Sequence, residues 1–107
     1  MLDFNIYDLL VEANQIRQHI GIFAVDEEEL LGFREQIVES CRRLNLGIWL
    51  TEDKHEIRMF RTTSLITLGL IANPNDEEKY INYRFDKVVI SPKIHGKTRR
   101  YLQKRAR

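Results

Sequence analysis

Residues 46–72 read LGIWLTEDKHEIRMFRTTSLITLGLIA and contain the only tryptophan of the chain. Two short β-prone runs, Ile48–Leu50 and Ile57–Phe60, flank the polar tetrapeptide Glu52–His55, a pattern typical of a β-hairpin with a four-residue turn. A third run, Leu65–Ala72, is apolar almost throughout, which predicts a strand covered on both faces. We therefore expect this stretch to form the sheet against which the rest of the chain packs.

Two helices are predicted before the hairpin. Apolar residues from Ile6 to Ile20 recur at helical spacing, and Gly21 is a suitable residue to end that helix. Residues 2–7 alternate briefly, with Leu2, Phe4 and Ile6 against Asp3, Asn5 and Tyr7, so Met1–Phe4 allows either a short strand or a disordered lead-in. The apolar joint Gly21–Val25 lies between the two predicted helices. It predicts either a packed connection, with Ile22 and Phe23 under the helices, or an exposed contact patch.

The second helix is predicted from Glu27 to Asn45. Asp26 and Glu29 form a capping-box pattern at its beginning, and Gly47 is expected to close it. Its apolar stripe, which includes Cys41, is expected to face the sheet.

After the third strand, residues 73–76 (NPND) indicate a turn. Residues 77–90 allow two interpretations: one strand with a bulge near Asp86, or a short helix from Asp76 followed by a strand at Lys87–Ile90. We predict an α+β domain over residues 1–92, with two N-terminal helices on one face of a three- to four-stranded, mainly antiparallel sheet. Trp49 is expected in or near the interface between sheet and helices.

Composition narrows the class of protein. The 107 residues are 43% hydrophobic and 31% charged, which is typical of a soluble globular domain. No apolar run approaches the length of a membrane span, and the N-terminus, with Asp3 and Asp8, lacks the pattern of a signal peptide. Cys41 has no second cysteine to pair with, so we expect a reducing, cytoplasmic location and no membrane partner.

Charge is distributed very unevenly along the chain. Residues 1–40 contain nine acids against two bases, whereas residues 87–107 contain eight bases and no acid. The basic C-terminal tail, residues 93–107, can neutralise phosphates, and an aromatic ring within it can stack on an unpaired base. The alternatives are a solvated terminus or pairing with the acidic helices. The candidate nucleic-acid contacts are Lys93, Lys97, Arg99, Arg100, Tyr101, Lys104, Arg105 and Arg107.

The acidic first half suggests a second kind of surface. Five carboxylates on the two predicted helices can face a basic protein partner, as in an inhibitor, an immunity protein or an assembly component. An ordinary solvated helix face explains the same residues. They are Asp8, Glu12, Glu28, Glu35 and Glu39.

No motif predicts a cofactor, a metal site or a nucleophilic enzyme. The histidines lack metal-ligand spacing, and the Gly96-Lys97-Thr98 triplet has Ser91 where a P-loop needs its first glycine. If the last strand lies beside the hairpin, several basic residues could meet on an open sheet face and act on a phosphodiester. That candidate catalytic set is His55, Arg58, Arg61, His95, Arg99 and Tyr101.

This layout of two helices before a sheet with a basic open face is similar to that of bacterial mRNA-cleaving toxins of the RelE type. The segments that carry the resemblance are His55–Arg58 and Lys97–Thr98. The resemblance implies a ribonuclease as one alternative. The absence of a catalytic motif favours another function, a small non-enzymatic binding module with a protein partner and a tail that contacts nucleic acid. Self-association through a sheet edge is a further expectation.

Overall fold

The computed structural model describes residues 5–53, 55–73 and 75–107. The open question about Met1–Phe4 therefore lies outside the described residues, as do Lys54 of the predicted hairpin turn and Pro74 of the predicted turn after the third strand. Over the described ranges, the chain forms three α-helices, one 3₁₀ helix and a sheet of five strands. In chain order they are α1 (Ile6–Ala13), β1 (His19–Ala24), α2 (Glu27–Arg43), β2 (Ile48–Leu50), β3 (Glu56–Met59), β4 (Leu65–Leu70), the 3₁₀ helix (Asp76–Tyr80), β5 (Lys87–Ile90) and α3 (Gly96–Gln103).

The α+β class is confirmed, but the predicted arrangement of its elements is partly wrong. The strand order is β2-β3-β4-β1-β5, and β1 is parallel to both of its neighbours, β4 and β5. The sheet is therefore mixed, not mainly antiparallel, and it has more strands than predicted. A radius of gyration of 13.0 Å is that of a single compact domain.

The main error lies between the two N-terminal helices. Helix α1 ends at Ala13, and the segment predicted as its continuation and as an apolar joint forms β1, an inner strand of the sheet between β4 and β5. Ile22 and Phe23 are fully buried, so the alternative of an exposed contact patch there is wrong. Because β1 is covered on both faces, its sequence shows no alternation of polar and apolar residues.

Helix α2 and the hairpin lie close to the positions predicted from the sequence. The Asp26 carboxylate accepts the backbone N–H of Glu29, as an N-cap should, while the Glu29 carboxylate accepts the N–H of Val25 at 2.9 Å. The helix ends at Arg43 and is followed by Asn45 with a φ of 59°, so Asn45, not Gly47, provides the left-handed residue.

Strands β2 and β3 form the predicted antiparallel hairpin, and β4 pairs with β3. For residues 77–90, the helix-then-strand interpretation is confirmed, because a 3₁₀ helix begins at Asp76 and β5 covers Lys87–Ile90.

The two sheet faces are covered differently. On the first face, α1 and α2 pack on a cluster that includes Ile20, Ile22 and Ile66. On the second face, α3 and the 3₁₀ helix contribute to a smaller cluster around Phe23, Phe85 and Leu102. That cluster lies over part of the second face only, and the remainder of that face carries the candidate site.

Candidate functional site

A single row of residues crosses the uncovered part of the second face. Trp49 is the register partner of Arg58, Arg58 of Leu65, and Leu65 of His19. Side chains at paired positions point to the same face of a sheet, so these four lie side by side on four neighbouring strands. We call them the open row. Trp49 is 62% exposed, so its predicted place between sheet and helices is wrong.

A cleft of about 420 Å³ opens at the His19 end of this row. It lies at the amino ends of β1, β4 and β5, although ligands of parallel sheets usually bind at the carboxyl ends. Of the described residues that line it, three are arginines and one is a carboxylate, so its lining attracts anions. The lining comprises Arg17, Gln18, His19, Arg58, Thr63, Leu65, Asp86 and Arg107.

Asp86 joins the amino end of β1 to the chain that enters β5. Its carboxylate accepts the backbone N–H of His19 at 2.7 Å, and its own N–H donates to the His19 carbonyl at 2.7 Å. The Arg107 guanidinium lies 3.8 Å from the same carboxylate. Asp86 therefore brings the C-terminal arginine beside the start of β1.

The His19 side chain is held from two sides. Its Nε2 lies 2.8 Å from Thr67 Oγ1, and its ring contacts Phe85 edge-on at 4.7 Å between centroids. Burial lowers the pKa of His19; Arg107 and Arg58 act in the same direction, while Asp86 and Glu56 oppose it. The imidazole is thus predominantly uncharged at neutral pH, and the positive charge of the cleft comes from its arginines.

Arg58 is fixed by a strained turn. Its guanidinium donates to the Thr63 carbonyl at 3.1 Å, and Thr63 has a φ of 59°, which is unusual for a β-branched residue. The neighbouring Thr62 and Ser64 hydroxyls both donate to the Ala13 carbonyl at the end of α1. The turn is therefore anchored to α1, and this anchoring keeps Arg58 at the mouth of the cleft.

The basic tail is folded onto the domain. Leu102 is fully buried, and residues 105–107 bond to both backbone groups of Phe85, at the entry to β5. Helix α3 therefore runs from the carboxyl edge of the sheet, where Ser91 bonds to Phe23, back to the amino edge.

Three of the eight predicted nucleic-acid contacts, Arg99, Tyr101 and Arg105, are partly buried in the fold. The Arg99 guanidinium donates to the carbonyls of Ser91 and Ile94, and that of Arg105 donates to the carbonyl of Ile81. The Arg105 guanidinium also lies over the Tyr101 ring, 4.9 Å from its centroid, and among the described residues the buried Tyr101 hydroxyl has no hydrogen-bond partner. The other five are exposed, although Lys93 Nζ lies 4.0 Å from the Glu29 carboxylate and Arg107 is paired with Asp86. They are Lys93, Lys97, Arg100, Lys104 and Arg107.

The predicted catalytic set is divided between the two edges of the sheet. Arg58 lines the cleft at the amino edge, whereas His95 occupies the N-cap position of α3 at the carboxyl edge, without a side-chain cap bond, and Arg99 is bonded to the loop there. His55 lies in a separate shallow pocket with Glu56 and Tyr83, and Arg61 is exposed in the turn after β3. The histidine that accompanies Arg58 is His19, which sequence reasoning missed.

The five acidic candidates also differ in their surroundings. Glu12 accepts Lys87 Nζ at 2.6 Å, and Glu39 is paired with Arg42 and Arg43. Asp8, Glu28 and Glu35 are exposed. The carboxylates are thus partly neutralised by bases of the same molecule.

No family model matches the chain, and no curated protein or solved structure is significantly similar to it. Among the described residues, no group of three His, Cys, Asp or Glu side chains could hold a metal ion. No helix in that part of the chain is long and apolar enough to cross a membrane.

Proposed function

We propose that this protein is a small non-enzymatic module that binds nucleic acid through a basic surface formed by α3 and the cleft beside it. The observation that carries the proposal is a stripe of exposed cations on α3 and its C-cap residue Lys104. Lys97, Arg100 and Lys104 are spaced three and four residues apart and so share one helix face. Arg107 continues from the end of α3 to the cleft.

A stripe on a packed helix differs from charge on a flexible tail. Leu102 and Ile94 anchor α3 and the loop before it in the second-face cluster, so the cations have fixed relative positions. Fixed cations can neutralise successive phosphates at a smaller entropic cost than cations that must be ordered on binding.

The stripe can be tested by neutralising two of its cations. Arg100→Gln together with Lys104→Gln should weaken binding to a labelled oligonucleotide, measured by fluorescence anisotropy. It should also lower the slope of log affinity against log salt by about 1.4 on single strands, at roughly 0.7 for each lost contact. Arg42→Gln with Arg43→Gln, the same charge change in the last turn of α2, is the matched control. Equal losses in the two variants, or no binding at low salt, would contradict the proposal.

The ribonuclease alternative is favoured by one observation, the partly buried imidazole of His19 beside the arginines of the cleft, where burial lowers its pKa. An uncharged imidazole can accept a proton, and guanidinium groups stabilise the negative charge that develops at phosphorus. Single-stranded RNA incubated with the protein should then be cut, and His19→Ala should abolish cutting. RNA that stays intact with the unaltered protein excludes this alternative. The inhibitor-type alternative, in which the acidic helices bind a basic partner, stays a prediction.

A further inference from the structure

Trp49 is held on the surface as an exposed ring. It is the most exposed aromatic side chain among the described residues, and Phe60, which is 50% exposed, contacts it edge-on at 4.6 Å between centroids. Phe60 in turn lies directly over Gly47, where an added Cβ would come within 2.6 Å of its ring. The indole is thus supported from one side, and much of its surface remains open to solvent.

The strand next to this indole, β3, carries the first of several arginines. Arg58 is the register partner of Trp49, and the cleft arginines Arg17 and Arg107 surround the other end of the open row near His19. Neighbouring strands are roughly 4.8 Å apart, so Trp49 and His19 lie about 14 Å from each other across the sheet. An aromatic platform and several phosphate-binding groups therefore share one continuous strip.

The acids on this face limit where a ligand can lie. Asp86 is at the end of the row, where it faces Arg107, and Asp53 and Glu56 line the neighbouring pocket with His55. An anionic ligand should therefore follow the arginine side of the strip. It should also contain a flat group that is free to stack on Trp49, since aromatic faces bind bases through stacking.

Unpaired nucleic acid meets both requirements. Its bases expose their faces, and its phosphates are regularly spaced charges, whereas the bases of a duplex are stacked on each other and cannot reach Trp49. We infer that the open row binds a single-stranded segment, with a base stacked on Trp49 and the adjoining phosphates on Arg58 and the cleft arginines. This inference rests on the proposed nucleic-acid function and specifies the kind of strand that is bound.

The single tryptophan provides a direct measurement, because stacking of a base on an indole quenches its fluorescence. An unlabelled single-stranded oligonucleotide added at low salt should quench Trp49, whereas the same sequence as a duplex should not. Binding of both ligands is followed in parallel by the anisotropy of a label on the nucleic acid. The full chain is used throughout.

Two substitutions at the platform separate stacking from fold stability. Trp49→Leu should weaken single-strand binding roughly 5- to 150-fold, the range observed when a stacking ring is removed, and Trp49→Phe should restore part of the affinity. Tyr7→Leu, which removes an exposed aromatic ring from α1, is the matched control and should bind as the unaltered protein does. Urea unfolding verifies that each variant is folded.

The outcomes distinguish this inference from the function on which it rests. In one outcome, the anisotropy shows binding while Trp49 fluorescence is not quenched and Trp49→Leu keeps its affinity. That result would overturn the inference and leave the proposed function standing. No binding of either ligand at low salt would overturn both. A Trp49 spectrum that changes with protein concentration alone, with a dimer in sedimentation, would overturn the inference and assign the surface to a second copy of the chain.

Discussion

The second sheet face has a covered half and an open half, and they differ in whether other elements pack over the strands. Over β1 and the carboxyl end of β4, aromatic and aliphatic side chains from α3 and the 3₁₀ helix exclude solvent around Phe23. Over β2, β3 and the amino end of β4, Trp49 and Arg58 remain accessible. Whether a side chain on this face belongs to the core or to a surface is therefore decided by the 3₁₀ helix and α3 that cover it, not by the strand in which it lies.

The largest expected effect tests the covered half. Leu102 is fully buried between α3 and the sheet, and Leu102→Ala should lower the free energy of unfolding by about 2–5 kcal/mol, measured with urea. The exposed neighbour Gln103, replaced by Ala, is the control and should change it little. A loss below about 1 kcal/mol for Leu102→Ala would mean that α3 contributes little to the covered half.

A smaller effect is expected where the sheet meets its aromatic cover. A Cβ on Gly69 would come within 2.5 Å of the Phe23 ring and 2.8 Å of the Tyr80 hydroxyl oxygen. Gly69→Ala should therefore destabilise the protein by about 1–3 kcal/mol in the same assay.

Gly32 provides the contrasting substitution. It lies within α2 with open space around it, so Gly32→Ala should stabilise the protein by up to about 1 kcal/mol. If Gly69→Ala and Gly32→Ala changed the free energy of unfolding equally, close packing over Gly69 would not explain the effect of Gly69→Ala.

The free energy of unfolding is expected to depend on pH through His19, which lies where the covered and open halves meet. Burial lowers the pKa of His19, so the unfolded chain binds its proton at a higher pH than the folded chain does. The free energy of unfolding should therefore fall as the pH drops through about 6.5, the ordinary value for histidine, and level off below the folded pKa. His19→Gln should flatten this slope between pH 7 and pH 5.

The control for that measurement is His55→Gln, which removes an exposed imidazole near the open half. If the His19 variant kept the slope of the unaltered protein, the imidazole would not be protected in the folded state. The effect is expected to be the smallest of the stability changes, since His19 is only partly buried.

Local signals in the sequence correctly predicted those elements whose boundaries depend only on neighbouring residues. The Asp26 cap, the two hairpin strands and the apolar run of β4 are of this kind, and all three were found where expected. Strand β1 was missed because Ile16 and Ile20 continue a helical spacing and Gly21 resembles a helix end. Burial on both faces removes the alternation that would have identified a strand.

The site was harder to predict because it depends on register. Arg58 was a candidate, but Arg17, His19 and Asp86 become its neighbours only through the pairing of β1 with β4 and β5. Alternation places Trp49 and Ile48 on opposite faces without indicating which face is covered. The one local signal for the cleft is the polar triplet Arg17-Gln18-His19, directly before an apolar run.

We propose that the open half of the second face, together with α3, is the nucleic-acid surface. Backbone amide chemical shifts, recorded while a single-stranded oligonucleotide is added, test it most directly. We predict that shifts will change in residues 17–19, 47–50, 56–63 and 97–107, and that the α2 residues 27–43 on the opposite face will stay unaffected. Changes concentrated in α2, or none at all at low salt, would contradict this account.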